Sequence, residues 1–375
     1  MNGKKRLLPL GFIAVLAAII VSAVANDPAG ALSVLRRGWD HPTILAAALE
    51  DFLQENLPFR QELQNGALRL RMLGGGTEQN GLFLAEDGLI PNLRATTDTT
   101  VHRNNTRQIL GVIERTSAPS YFMLLPTACA IYEDRLPDYA PLYKQRGFME
   151  STYKQFYGSA VTVDAYNALL YTDSDYLYYR TEDTLTSLGG YAVYQALASR
   201  LGFTERPLSQ FEVSYDIHDY YGALYERWGY GGVRPDVITT YRDVKSSAAT
   251  QVVSWERFAQ RTYYTLYPRE AAASGDGMDI ILGGYAPRIE ITTQGGRSSS
   301  LLVLGDRTAL SYLPFLAGHY QKITFLDFSL LTAGEIEKFS PDDYTQVLYA
   351  YSLDTYLNTE SPAKAANLAQ AAPGE

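Results

Sequence analysis

The segment Ser120-Tyr121-Phe122-Met123-Leu124-Leu125 is an unbroken apolar run stopped by Pro126, and similar runs recur at Leu301-Leu302-Val303-Leu304 and Ile323-Thr324-Phe325-Leu326. A strand with one face in water alternates apolar and polar residues. A run without alternation needs cover on both faces, which a parallel sheet between helices provides. Helical spacing lies between and around these runs, at residues 100–115, 141–157, 187–201 and 308–320. Strands alternating with helices predict an α/β fold whose parallel sheet is flanked by helices. Right-handed crossovers then gather loop residues at the carboxyl ends of the strands. Residues 301–304 are expected to form a central buried strand.

The 375 residues are 46% hydrophobic and 19% charged, enough to bury a substantial core. A net charge of −9 opposes nucleic-acid binding, which needs a basic face to displace counterions from phosphates. The 29 tyrosines suit sugar or protein surfaces, although most tyrosines pack at the edge of a core.

Lys4, Lys5 and Arg6 precede an uncharged apolar run that begins at Leu7 and continues to Val24. Such a run is at the short end of what spans a hydrocarbon core, and its basic flank would stay in the cytoplasm. Ala23-Val24-Ala25 has the small-x-small form of a signal-peptidase site. Residues 1–25 are therefore expected to be a signal peptide or membrane anchor that places the rest of the chain outside the cytoplasm. Three adjacent cations fit a buried core helix poorly.

Residues 42–71 carry helical spacing interrupted by Pro58, and Gly74-Gly75-Gly76 ends it. Asn80-Gly81-Leu82-Phe83-Leu84 and Asp87-Gly88-Leu89-Ile90 predict two short strands in a small β-hairpin. No repeat or long linker divides residues 26–358, which are read as one domain. Residues 359–375, rich in Ala with Pro, Gly and Asn, are expected to be a disordered tail. Cys129 is the only cysteine, so no intrachain disulfide can form, and it reads as a buried small hydrophobe. No His/Cys/Asp cluster has metal-ligand spacing, and neither a metal nor another cofactor is expected.

Several segments together resemble the DHHW family of bacterial envelope proteins and, more distantly, the SGNH-fold acetyltransferases that modify alginate. They are Glu55-Asn56-Leu57-Pro58-Phe59-Arg60, the hairpin segment, Tyr221-Gly222-Ala223-Leu224-Tyr225 followed by Pro235-Asp236-Val237-Ile238, and Pro314-Phe315-Leu316-Ala317. The resemblance implies an SGNH-hydrolase-like sheet, with the hairpin as an elaboration. It also implies chemistry from two boxes, an Asp-x-His-Trp-Thr segment and an Asp-Ser pair. A serine hydroxyl is a poor nucleophile until an imidazole accepts its proton and a carboxylate orients that imidazole.

Here the first box reads Glu182-Asp183-Thr184-Leu185-Thr186, with Glu182 at the orienting carboxylate and Thr184 at the histidine. The second reads Gly305-Asp306-Arg307-Thr308, with Arg307 at the nucleophile. Threonine cannot serve as a base near neutral pH, and guanidinium has neither an acceptor nor a nucleophilic lone pair. A third departure falls at Leu282-Gly283-Gly284-Tyr285, where related chains tend to place Gly-Gly-Asn. Glu182, Asp183, Thr184, Asp306, Arg307, Ser311 and Tyr285 are the candidates for a cleft, with Arg307 expected to pair with Glu182. Ser311 lacks a nearby imidazole. His319 reads as a histidine at a helix carboxyl terminus, and His41, His102 and His218 stand apart.

The resemblance implies an extracytoplasmic, envelope-associated protein without catalysis, a binding or scaffolding member for envelope polysaccharide or an envelope protein. The alternatives are an esterase or acetyltransferase with relocated catalytic residues, and a structural envelope protein with no ligand.

Overall fold

The computed structural model describes residues 20–22, 24–38, 48, 52, 77–86, 88–93, 99–138, 140, 143–229, 232–245, 250–294 and 297–369. The chain divides into two compact units, residues 1–76 with 229–231, and residues 77–228 with 232–375.

In the first unit a helix, α1, runs over Pro28–Gly38, and the backbone N–H of Gly30 donates to Asp27 Oδ1 at 2.9 Å. Val34 and Phe52 are buried together against Ala31 and Ala48. The expected leader lies outside the described residues apart from its last few positions. The expected helix over 42–71 lies outside them apart from Ala48 and Phe52, both helical. No helix among the described residues is long and apolar enough to cross a membrane.

The second unit contains β1 (Glu78–Gln79), β2 (Leu82–Leu84), β3 (Leu89–Pro91), β4 (Ser120–Leu125), β5 (Val161–Asp164), β6 (Phe211–Tyr220), β7 (Asp236–Asp243), β8 (Thr250–Trp255), β9 (Gln260–Tyr263), β10 (Arg288–Thr293), β11 (Arg297–Gly305), β12 (Tyr320–Leu326) and β13 (Gln346–Ser352). Eight strands form one sheet in the order β5-β4-β13-β11-β12-β10-β8-β9. The first five are parallel neighbours, as the apolar runs require, and the side chains of residues 301–304 and of β4 are buried. Each such leucine removed from water stabilises the fold by about 2 kcal/mol.

The wholly parallel sheet is corrected at one side, where β10, β8 and β9 pair antiparallel. Their cause is local. Ile289, Ile291 and Thr293 are buried while their neighbours are not, the period of a one-sided strand, and only residues 256–259 join β8 to β9, too few for a crossover. Strand β13 was not anticipated. Tyrosines interrupt Val347-Leu348-Tyr349-Ala350-Tyr351, yet Tyr349 and Tyr351 are buried in the middle of the sheet.

The helix α2 occupies Thr100–Ile113, α3 occupies Gln145–Gln155 and α4 occupies Ser187–Leu201, the last with the expected bounds. The helix expected over 308–320 is instead a 3-10 turn at Arg307–Ser311, a single α-turn at Leu313–Leu316, a second 3-10 turn at Ala317–His319, and then β12. Asp306 tightens the first turn by accepting from the Thr308 N–H at 3.0 Å, and Pro314 has no N–H for a continuous ladder.

The small sheet runs β1-β2-β3, and Asn80-Gly81, expected inside a strand, is the turn between β1 and β2. Its φ values of 51° and 71° place both residues in the left-handed region that suits Asn-Gly. The expected β2–β3 hairpin is present, closed by Ala85 N–H donating to the Gly88 carbonyl at 2.9 Å.

The tail also differs from expectation. Pro362–Asn367 forms a 3-10 turn, with Ala365 and Leu368 buried. Asn105, fully buried on α2, holds this region. Its Nδ2 donates to the Tyr356 and Thr359 carbonyls and its Oδ1 accepts from the Ala363 N–H. Lys364 Nζ donates to the Phe328 carbonyl at 2.7 Å. Composition signalled disorder, but burial and hydrogen bonds to distant residues order the segment up to residue 369, and the rest of the expected tail lies outside the described residues.

Candidate functional site

The strand β11 ends at Gly305 beside Ala350 of β13, so close that a Cβ on Gly305 would sit 2.5 Å from the Ala350 carbonyl oxygen. Asp306 follows at once and ties the strand ends together. Its Oδ2 accepts from the Ser352 N–H at 2.7 Å, while its Oδ1 accepts from Thr308 N–H and Oγ1. Asp306 is thus a structural cap whose oxygens are engaged, rather than a free ligand group. Arg307 opens the 3-10 turn at the carboxyl end of the sheet.

Glu182 arrives from the other direction on the turn before α4. Thr186 caps that helix, its Oγ1 accepting from the Gly189 N–H at 3.2 Å, and the antiparallel bridge between Tyr178 and Leu185 closes the turn. Asp236 secures the preceding residues. It accepts from the N–H groups of Arg180 and Thr181, both at 2.8 Å, from Thr181 Oγ1, and from Tyr176 Oη at 2.6 Å.

The expected ion pair is present, with Arg307 Nη1 3.1 Å from Glu182 Oε1. Glu182 is 3% exposed and Arg307 is 35% exposed, so the carboxylate is the desolvated member. Its other oxygen accepts from the Ala223 N–H at 2.9 Å and from Tyr220 Oη at 3.4 Å. Only glycine fits beside it at position 222, because an added Cβ there would stand 2.5 Å from Glu182 Oε2.

Thr184, Leu185, Asp279, Tyr285, Arg307 and Ser311 line one recess. The chain therefore brings Thr184 and Arg307 together across 123 sequence positions, with Glu182 reaching Arg307. Ser311 is 5% exposed and its Oγ donates to the Thr308 carbonyl at 2.8 Å, so it faces its own turn. Tyr285 spends its hydroxyl on Asp327 rather than on the recess; burial and then the Asp327 charge push its pKa up. No histidine lines the recess among the described residues. His319 is no helix-terminal histidine, since its segment is a 3-10 turn; it stacks on Phe203 at 3.9 Å and pairs with Tyr194 Oη at 2.8 Å. His218 is exposed on β6, and His102 packs edge-on against Phe148. Among the described residues no group of acidic, histidine or cysteine side chains could hold a metal ion. Cys129 is buried, and burial pushes its thiol pKa up.

Sequence reasoning did not find Tyr220, Asp276 or Asp279. Tyr220 Oη bridges Glu182 to Asp276, and Asp276 and Asp279 cap one another's backbone around a 3-10 turn. Burial and then the neighbouring Asp276 push Asp279 up, against the pull of Arg307 and Arg261. The spacing Asp276-Gly277-Met278-Asp279 is a capping signal that could have located this turn.

Asp183 is exposed to solvent and does not line the recess, although protein atoms crowd around its carboxyl between the buried Glu182 and Thr184. This setting and then the charge of Asp354 push its carboxyl up to about 6, with Glu182 and Asp306 adding and Arg227 opposing. A carboxyl whose folded pKa is raised contributes stability that is fully present below its ordinary value and lost as pH rises through the folded value. Asp183→Asn should therefore match the parent below pH 3.8 and become the more stable protein as pH passes about 6. Thermal melts of both proteins from acid to neutral pH test this, and a difference that does not change with pH contradicts it.

The order of strands and the recess at the carboxyl edge define an SGNH-hydrolase-like α/β protein. The sequence profile of the DHHW protein family matches residues 96–326, and the chain belongs to that family. A DHHW family protein from Eubacterium siraeum superposes with a TM-score of 0.66 at 19% identity, covering 79% of this chain and 98% of that one. Bacillus cereus PatB1 with a sulfonyl adduct superposes with a TM-score of 0.63 at 14% identity, covering 75% and 97%. At such identities the likeness shows the fold. No curated protein sequence matches significantly.

Proposed function

We propose that this protein is an extracytoplasmic, envelope-associated DHHW member that binds rather than turns over its ligand, with envelope polysaccharide as the ligand class. The observation that carries the reading is the Arg307–Glu182 pair at 3.1 Å, which puts an ion pair where the family's chemistry needs a serine and the carboxylate that orients its base. Ser311 supports no relocated site, because its hydroxyl is bound to its own turn and no imidazole faces it among the described residues. The basic flank and apolar run at the N-terminus support export.

Two measurements test this. The purified protein should release no acetate from acetylated sugars above background and should not be labelled by a sulfonyl fluoride, a reagent that reports an activated nucleophile. Turnover abolished by Ser311→Ala would establish the relocated-enzyme alternative instead. A reporter fused after residue 60 should be active outside the cell membrane, and activity confined to the cytoplasm contradicts the location.

A further inference from the structure

A second concavity lies at the opposite end of the sheet. Its walls come from Thr293 at the end of β10, Thr250 at the start of β8 and the 3-10 turn before β12. Its lining residues are not those of the Arg307 recess, although the two approach one another where the Leu266 carbonyl accepts from the Leu282 N–H at 2.9 Å, beside Ile281 of the recess. Its cavity volume is about 230 Å³.

Aromatic rings make much of the surface. Phe211, Tyr241, Tyr264 and Tyr267 line it over Phe315, against which Phe211 and Tyr241 pack at 5.3 and 5.8 Å between centroids. Tyr267 is held by its Oη donating to the Tyr241 carbonyl at 3.0 Å, whereas Tyr264 is 79% exposed. The polar wall is also fixed in place. Arg206 pairs with Asp243 and donates to the Gly318 carbonyl at 2.8 Å, and Asp243 accepts from Gln210 Nε2 at 2.9 Å.

A pyranose has the matching chemistry, with C–H faces that lie on aromatic rings and a rim of hydroxyls that bond to planar guanidinium and carboxylate groups. The charges narrow the choice. Arg206 is neutralised by Asp243, and Arg242 by Glu212, so neither guanidinium is left to favour an anionic chain. We infer that this groove is a binding site for a neutral pyranose oligosaccharide, distinct from the Arg307 recess. The inference rests on the glycan-binding reading above but assigns the sugar to a different set of residues.

Cellopentaose, chitopentaose and an oligomannuronate would be titrated into the full chain by calorimetry. Binding of at least one neutral oligomer is expected, weaker binding of the oligomannuronate, and a Kd raised about tenfold by Tyr264→Ala, the loss of one stacking surface. Because Tyr264 is exposed, the variant should fold normally, which its melting temperature checks. Three results overturn the proposal. They are no binding of either neutral oligomer, tighter binding of the oligomannuronate, and binding that Arg307→Ala abolishes while Tyr264→Ala leaves it intact. The last would return the sugar to the recess and sink the groove alone, whereas ester turnover would sink the functional reading and leave the groove standing.

Discussion

Asp236→Ala should lower the free energy of unfolding by about 4 kcal/mol, the scale expected when a buried charge is removed from groups that depend on it. Asp236 has no solvent exposure and accepts from two backbone N–H groups and two hydroxyls, all within residues 176–181. Alanine would strand those donors away from water. The damage should also spread toward the recess. Thr181 Oγ1 accepts from the Gly222 N–H at 3.0 Å, and the Thr181 carbonyl accepts from the Leu224 N–H at 2.9 Å. Between them lies Ala223, whose N–H holds Glu182. Urea unfolding would measure the loss as a lowered midpoint with an unchanged slope. A change of less than about 1 kcal/mol, the net worth of one ordinary hydrogen bond, would show that this carboxylate does not organise the turn.

The second large effect is expected at Gly190, where α4 crosses the turn that carries Ser311. A Cβ there would lie 2.0 Å from the Ser311 carbonyl oxygen and 2.4 Å from its carbonyl carbon. Both atoms are backbone, so no side chain can swing aside. Gly190→Ala should cost about 3 kcal/mol, the upper part of the range for overpacking, and should push the Arg307 turn away from the helix. Gly111→Ala is the control. It lies in α2 with nothing within 4 Å of the added Cβ, and alanine there should stabilise by about 0.5–1 kcal/mol through helix propensity. If the two variants melt alike, the close approach at Gly190 is not a constraint on the fold.

Parts of the architecture were legible because some signals are local. The run at residues 120–125 can be covered only from both sides, and β4 is indeed wholly buried. The periodic spacing over residues 187–201 agrees with the bounds of α4, which Thr186 caps. Strand β13 was hidden because a tyrosine reads as half-polar wherever it stands, and only the surrounding layers decide that Tyr349 and Tyr351 lie inside. The turns after Arg307 misled for the opposite reason. Residues 309 and 310 and residues 312 to 317 are all buried, so apolar spacing there reports burial on every side and not a helix.

The candidate site divides the same way. That Thr184 and Arg307 cannot act as base and nucleophile follows from their functional groups, which no fold can change. The Glu182–Arg307 pair was also expected, from the resemblance, but that Ser311 would turn to Thr308 and Tyr285 to Asp327 was decided by the folded chain, the second across 42 positions. The groove beside Tyr264 is further from reach still, since its walls come from six separate segments of chain. By itself the sequence determined which chemistry each position could perform and which runs had to be buried, because both are properties of single residues and short windows. Only the tertiary structure decided which polar groups were already spent on one another, because desolvated hydrogen bonds and ion pairs form between residues that the chain order keeps apart.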